Sequence, residues 1–264
     1  MPVAVITGAS KGLGRALGAA LAGRGWDLVV DARSAGPLEE AARGLRRAGA
    51  RVVALPGDVA DAAHRAELVA AARELGGLDL LVNNASVLGA EPLVRLEAQP
   101  LDGLRAALEV NAVAPLGLVQ EALPLLRASK LFAASASLPY TGGDAAPSSY
   151  MGTETGKAPG AGGAVLNISS DAAAEAYATW GGYGAAKAAL DQLSAVLAVE
   201  EPGLRVWWVD PGDMRTDLYA AAVPDDDGSG RPLPGTVVPA LLRLLDAGAA
   251  SGRYAAPGLL DGAR

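Results

Sequence analysis

Six short apolar runs, separated by longer segments of helical character, constrain this chain more than any other feature. "VAVIT" (3–7), "DLVV" (27–30), "RVVAL" (51–55), "LDLLV" (78–82), "AVLNI" (164–168) and "RVWWV" (205–209) lack the polar alternation of a half-exposed strand. Strands apolar on both faces need cover on both faces, which a parallel sheet flanked by helices supplies. "GRALGAALAGRG", "PLEEAARGLRRAG", "DAAHRAELVAAAREL", a long stretch near 98–128 and "GGYGAAKAALDQLSAVLAVE" read as those helices. With no internal repeat and no second-domain boundary, the 264 residues are expected to form a single doubly wound α/β domain with a mostly parallel sheet of about seven strands.

Composition narrows the chemistry. Hydrophobic residues make up 51% and aromatics only 4%, so the core must be mostly Ala, Val and Leu. A net charge of −7 argues against nucleic acid and anionic membranes as partners. The absence of cysteine excludes disulfides, cysteine nucleophiles and thiolate metal sites. His64 is the only histidine, which rules out a His-rich zinc site and disfavours a Ser-His-Asp hydrolase; it is expected to be a partly exposed helix residue. No metal is expected, since Asp225-Asp226-Asp227 reads as a solvated turn. No apolar run approaches the roughly 18 residues of a membrane span. A strand from residue 3 onward leaves no room for a signal peptide, so a cytoplasmic protein is expected.

One segment breaks the rhythm. Residues 130–159, rich in Ser, Gly, Pro and Thr, are far longer than an ordinary helix-to-strand connection. Ligands of open α/β sheets bind at the carboxyl ends of the strands, and a helix-to-strand connection arrives at the opposite edge. The insertion is therefore expected away from the chemistry. The segment at about 213–236 leaves from the carboxyl edge and is expected to form a substrate loop.

"VAVITGASKGLGRALG" places a strand, a glycine-rich turn and a helix in succession, the context for a pyrophosphate held at a helix N-terminus. Tyr183 and Lys187 lie one helical turn apart, so a phenol and an ammonium share a face. Such a cation is expected to lower the phenol's pKa toward working pH, where a general acid is most effective.

These features together resemble the short-chain dehydrogenase/reductase family. T-G-A-S-K-G-L-G at 7–14 is similar to its cofactor motif. In order there follow Asp58-Val59, "NNAS" at 83–86, Asn111 in "LEVNAVAP", "NISS" at 167–170, Tyr183-x-x-x-Lys187 and "DPGDMRT" at 210–216. The match runs from residue 3 to about 216, and Ser170 precedes Tyr183 by the family's usual 13 positions. It implies a Rossmann-type domain whose catalytic residues are Asn111, Ser170, Tyr183 and Lys187. Tyr183 would exchange the proton with the substrate oxygen, Ser170 would hydrogen-bond that oxygen, and Lys187 would bind the nicotinamide ribose. Asn111 would interrupt its helix and support a water relay to the lysine.

The same resemblance implies cofactor contacts at Gly8, Ser10, Lys11, Gly12, Leu13, Gly14, Ala32, Arg33, Asp58, Val59, Asn83, Ala85, Tyr183, Lys187, Pro211, Gly212 and Thr216. The family's NAD-selecting acid would align with Ala32, while Asp31, one place earlier, should point to the opposite face. Arg33 and Lys11 suit the 2′-phosphate of NADP. NADP(H) is the expected cofactor, and Asp31 keeps NAD(H) as the alternative. Ser170, Tyr177, Trp180, Tyr183 and Met214 are the substrate-contact candidates, with Leu218 and Tyr219 as further apolar walls.

The expected function is an NADP(H)-dependent carbonyl reductase or alcohol dehydrogenase acting on a small molecule. A cofactor-sensing binding protein and a non-reductive enzyme, such as an epimerase or dehydratase, are the alternatives. A homodimer or homotetramer through the helices near 98–128 and 181–200 is implied by resemblance. The ending "SGRYAAPGLLDGAR" is shorter and less regular than the family's usual last strand and tail.

Overall fold

The computed structural model describes residues 1–133 and 161–261. Its seven strands are β1 (Val3–Ile6), β2 (Asp27–Ala32), β3 (Val52–Pro56), β4 (Leu80–Asn83), β5 (Ala164–Ile168), β6 (Arg205–Asp210) and β7 (Gly252–Ala255). They form one sheet in the order β3-β2-β1-β4-β5-β6-β7, with every neighbouring pair parallel. All six apolar runs become strands. The seventh comes from the irregular C-terminal segment, where Arg253 pairs with Trp208 of β6.

Alternation along each strand divides the core. Ala4, Ile6, Leu28, Val30, Leu80, Val82 and Leu166 join one cluster with leucines of α1 (Gly12–Gly23), α2 (Ala35–Arg47) and α8 (Val238–Ala247). Their neighbours Val3, Val5, Val29, Leu81 and Val165 join another with α3 (Ala62–Leu75) and α5 (Ala114–Ala128). Successive side chains point to opposite faces, so an all-apolar strand fills both layers at once. The helices stop where their ends are satisfied. Asp61 caps α3 by accepting the Ala63 N–H at 2.9 Å, and Gly76 ends it in the left-handed region.

The stretch near 98–128 is not one helix. α4 (Leu101–Leu108) passes into a π-turn over Glu109–Val113 before α5 begins. The buried Asn111 side chain accepts the Val87 N–H at 3.0 Å and donates to the Val87 carbonyl at 2.8 Å, tying this widened turn to the loop after β4. The segment 181–200 forms α6 (Gly181–Glu200), and the later loop carries α7 (Asp217–Ala222). Residues 134–159 of the expected insertion lie outside the described residues. No helix among the described residues is long and apolar enough to cross a membrane.

Candidate active site

Strand order reverses between β1 and β4, so a crevice opens at their carboxyl ends. The glycine turn closes tightly onto the loop after β4. Gly8 has φ +66°, and a Cβ there would lie 2.9 Å from Ala85 Cα. A Cβ on Gly14 would meet Asn84 Nδ2 at 2.6 Å and the Gly8 carbonyl oxygen at 2.7 Å. Asn84 itself donates to the Thr7 carbonyl at 2.9 Å, and the Thr7 hydroxyl accepts the N–H groups of Asn84 and Ala85, each at 3.0 Å. Asn84 is thus the strut between the two loops, a role the motif alone did not assign to it. Gly14→Ala is expected to weaken binding of a dinucleotide about tenfold or more and lower Tm, because backbone and a fixed amide must move. Fluorescence titration beside a thermal melt checks both effects, and unchanged affinity would refute this account of the turn.

A cleft of about 930 Å³ runs from Arg33 and Asp58, past the glycine turn, to Tyr183 and Leu218. Most of the expected site residues line it, and four do not. Gly14 lies behind the turn that it allows to form. Asn83 is buried in the sheet, donating to Asn167 Oδ1 at 2.8 Å, while Asn167 donates to Ser194 Oγ at 2.7 Å. Asn111 is committed to Val87 as described. Tyr177 is exposed outside the cleft, with its hydroxyl donating to Asp171 and Glu175 at 3.0 and 2.8 Å. The carboxylates hold Tyr177 outward, which removes it from the substrate wall. Trp180, Met214, Leu218 and Tyr219 do line the cleft. Of the acidic run, Asp226 accepts from the Tyr219 hydroxyl at 2.7 Å and from Arg231 at 3.1 Å.

The first turn of α6 carries Tyr183, buried and edge-on to Trp180 at 5.7 Å between ring centroids. Lys187 Nζ lies 5.6 Å from the Tyr183 ring centroid and donates to the Ile168 carbonyl at 2.7 Å. Ser170, just past β5, donates to Asp171 Oδ1 at 3.0 Å and accepts the Ala172 N–H at 3.2 Å. The expected lowering of the phenol's pKa is not what the geometry gives. Burial pushes the Tyr183 phenol up to about 12; the Asp171 and Asp210 charges add to the rise, and the hydroxyls of Ser86 and Ser170 pull the other way. Burial likewise pushes the Lys187 ammonium down to about 8, partly offset by Asp191. Desolvation outweighs any mutual tuning because both side chains are buried.

Support for Ser170 comes from far along the chain. Arg253 of β7 donates Nε to Asp191 at 2.9 Å and Nη2 to the Ser170 carbonyl at 2.9 Å. Asp191, one turn after Lys187 on α6, also accepts from the Ser169 hydroxyl. Neither Arg253 nor Asp191 belongs to a motif that sequence reading singled out.

The other end of the cleft carries Arg33 and Lys11 on its rim. Arg33 is exposed there, and Lys11 is paired with Asp217 of α7 at 2.6 Å across the opening. Asp31 is almost wholly buried; its Oδ1 accepts the Gly8 N–H at 2.7 Å and its Oδ2 lies 3.1 Å from His64 Nε2. His64 is therefore not a partly exposed helix residue. It is 5% exposed, because the first turn of α3 directs it inward onto the end of β2.

The features of this cleft accept a dinucleotide on their own terms. The glycine turn admits close backbone approach, α1 starts at Gly12 behind it, and the cleft joins that turn to Tyr183.

A family model described as short chain dehydrogenase matches residues 2–131 and 153–227, passing over 132–152. Sepiapterin reductase of Meriones unguiculatus is 36% identical over 230 residues, covering 83% of this chain and 77% of the relative. Among solved structures, the oxidoreductase yciK of E. coli superposes with a TM-score of 0.79 at 25% identity, covering 97% of this chain and 94% of the other. An alcohol dehydrogenase of the archaeon Thermococcus sibiricus, complexed with 5-hydroxy-NADP, gives 0.76 at 25% identity, with 97% and 95% covered.

Proposed function

Since the chain belongs to the short-chain dehydrogenase family, we propose that it is an NADP(H)-dependent carbonyl reductase or alcohol dehydrogenase of small molecules, with Tyr183 as general acid and base. The observation that carries this reading is the meeting of Tyr183, Ser170 and Lys187 at one end of the cleft whose other end is the glycine turn. Held by the glycine turn and Lys187, a reduced nicotinamide would supply the hydride for carbonyl reduction. Tyr183 gives its phenolic proton to the carbonyl oxygen, and the reverse transfer accompanies oxidation. A phenol near 12 holds its proton at neutral pH, the state that reduction needs. Ser170 turns its hydroxyl from Asp171 to the substrate oxygen and orients it. Lys187 supplies a positive charge that favours the departing proton. Asn111 clamps the loop after β4, and the Asp191–Arg253 pair holds the strand end that bears Ser170.

The preference for NADP(H) is supported by the rim cations Arg33 and Lys11, and by the engagement of both Asp31 oxygens inside the protein. The Thermococcus relative, complexed with an NADP derivative, is in keeping with it. Gly8, Ser10, Lys11, Gly12 and Leu13 would hold the pyrophosphate end; Asp58, Val59 and Ala85 would flank the adenosine and ribose; Pro211, Gly212 and Thr216 would grip the carboxamide. Exposed Val113 at the end of the π-turn and Leu116 at the start of α5, with Val196 and Val199 on α6, suit association with a second copy. The chain's turnover of NADPH and NADH, followed by loss of the reduced-nicotinamide absorbance, is the test. Panels of ketones, aldehydes, quinones and keto-esters should include substrates consumed faster with NADPH. Tight NADPH binding without turnover of any class would overturn the reading.

A further inference from the structure

Asp31 presents a puzzle for an NADP(H) site. It lines the cleft at the end of β2, beside Ala32 and Arg33, where a carboxylate repels a 2′-phosphate. Yet its charge is met from within. Oδ1 accepts the Gly8 N–H at 2.7 Å, and Oδ2 faces His64 Nε2 at 3.1 Å, with Asp31 and His64 only 1% and 5% exposed. The imidazole cannot swing away, because the loop after β3 packs on it so closely that a Cβ on Gly57 would lie 2.2 Å from His64 Nδ1. The charged groups around the ring are Asp31 from β2, with Asp61 and Glu67 from its own helix; Glu67 Oε2 is 3.9 Å from Nδ1.

We propose that His64 is a specificity-determining positioning residue, which holds and neutralises the Asp31 carboxylate so that the cleft accepts a 2′-phosphorylated dinucleotide. This inference rests on the NADP(H) reading above. The hydrogen bond to Asp31 raises the imidazole's pKa, so the ring keeps its proton, and the positive charge that opposes the carboxylate, to higher pH than a free histidine does. A 2′-phosphate, with up to two negative charges, gains from that neutralisation; a 2′-hydroxyl has little at stake.

The test is the affinity of the full chain for NADPH and for NADH separately, read by nicotinamide and tryptophan fluorescence. His64→Leu removes the donor that faces Asp31 Oδ2. It is expected to weaken NADPH about tenfold while moving NADH less than about twofold, as one uncompensated nearby charge would. Asp31→Asn keeps an acceptor for the Gly8 N–H without the charge. Combined with His64→Leu, it should restore NADPH to within about threefold of the wild type. Equal losses for both dinucleotides, or no rescue in the double variant, would overturn the role of His64.

Should His64→Leu fail to fold, Asp31→Asn alone still decides. A preference for NADPH preserved within about threefold supports the proposal, and a marked change in either direction sinks it. A wild-type chain that binds NADH as tightly as NADPH overturns the cofactor reading itself. A wild-type NADPH preference that His64→Leu leaves intact overturns only this inference.

Discussion

Tyr183→Phe is expected to reduce turnover by about 10²–10⁴-fold, the usual contribution of a positioned general acid, while NADPH binds nearly as before. The substitution removes one oxygen from a ring that stays packed against Trp180, so the fold and the cleft walls keep their shape. The loss should fall on kcat, because the proton moves only in the transition state. The wild type carries a second signature. With the phenol near 12, it is protonated throughout the neutral range. Oxidation of an alcohol needs the phenolate, so the oxidative kcat/KM should climb steadily as pH rises from neutral. Reduction draws no such benefit from alkali. If Tyr183→Phe keeps wild-type turnover, or if oxidation is flat with pH, Tyr183 is not the proton carrier.

Lys187→Met separates catalysis from stability. The ammonium is buried, and its pKa falls to about 8 chiefly for that reason. Between about 8 and the usual lysine value near 10.4, the unfolded chain holds a proton that the folded chain has released. Folding stability therefore rises with pH through that window, and the full penalty is present below it. Set against the ordinary lysine value, the penalty is roughly 3 kcal/mol. Methionine fills similar volume without charge but gives up the charge-assisted hydrogen bond to the Ile168 carbonyl, about 1.5–3 kcal/mol, which offsets much of that gain. Lys187→Met is thus expected to melt at or slightly above the wild type at neutral pH, with any advantage lost toward pH 10, and to lose about 100-fold or more in kcat. Thermal melts of both proteins across this pH range check the first part, and steady-state kinetics the second. A variant that melts below the wild type at neutral pH would show that the buried charge is not the governing cost.

Much of this could be read along the chain because the signals are local. An apolar run with no polar alternation needs two covered faces, so β1, β2, β4, β5 and β6 declare a parallel sheet before any contact is known. The order of T-G-A-S-K-G-L-G, "NNAS", Asn111, "NISS" and Tyr183-x-x-x-Lys187 placed the family and most of the cleft for the same reason. Each is a short segment whose geometry follows from its own residues. β7 is different. Its four residues have no pattern of their own, and the unpaired edge of β6 selects them.

Residue identity and spacing by themselves determined the sheet, its flanking helices and the face shared by Tyr183 and Lys187. What they left open were quantities set by neighbours distant in sequence. Burial decides that the phenol rises and the ammonium falls, because desolvation depends on everything packed around a group rather than on the residue four places away. Packing turns His64 inward onto Asp31, 33 positions earlier. It also brings Arg253 to the Ser170 carbonyl across 83 positions. A charge or a hydroxyl has no fixed role until the fold supplies its partners and its dielectric, and only the tertiary structure supplies both.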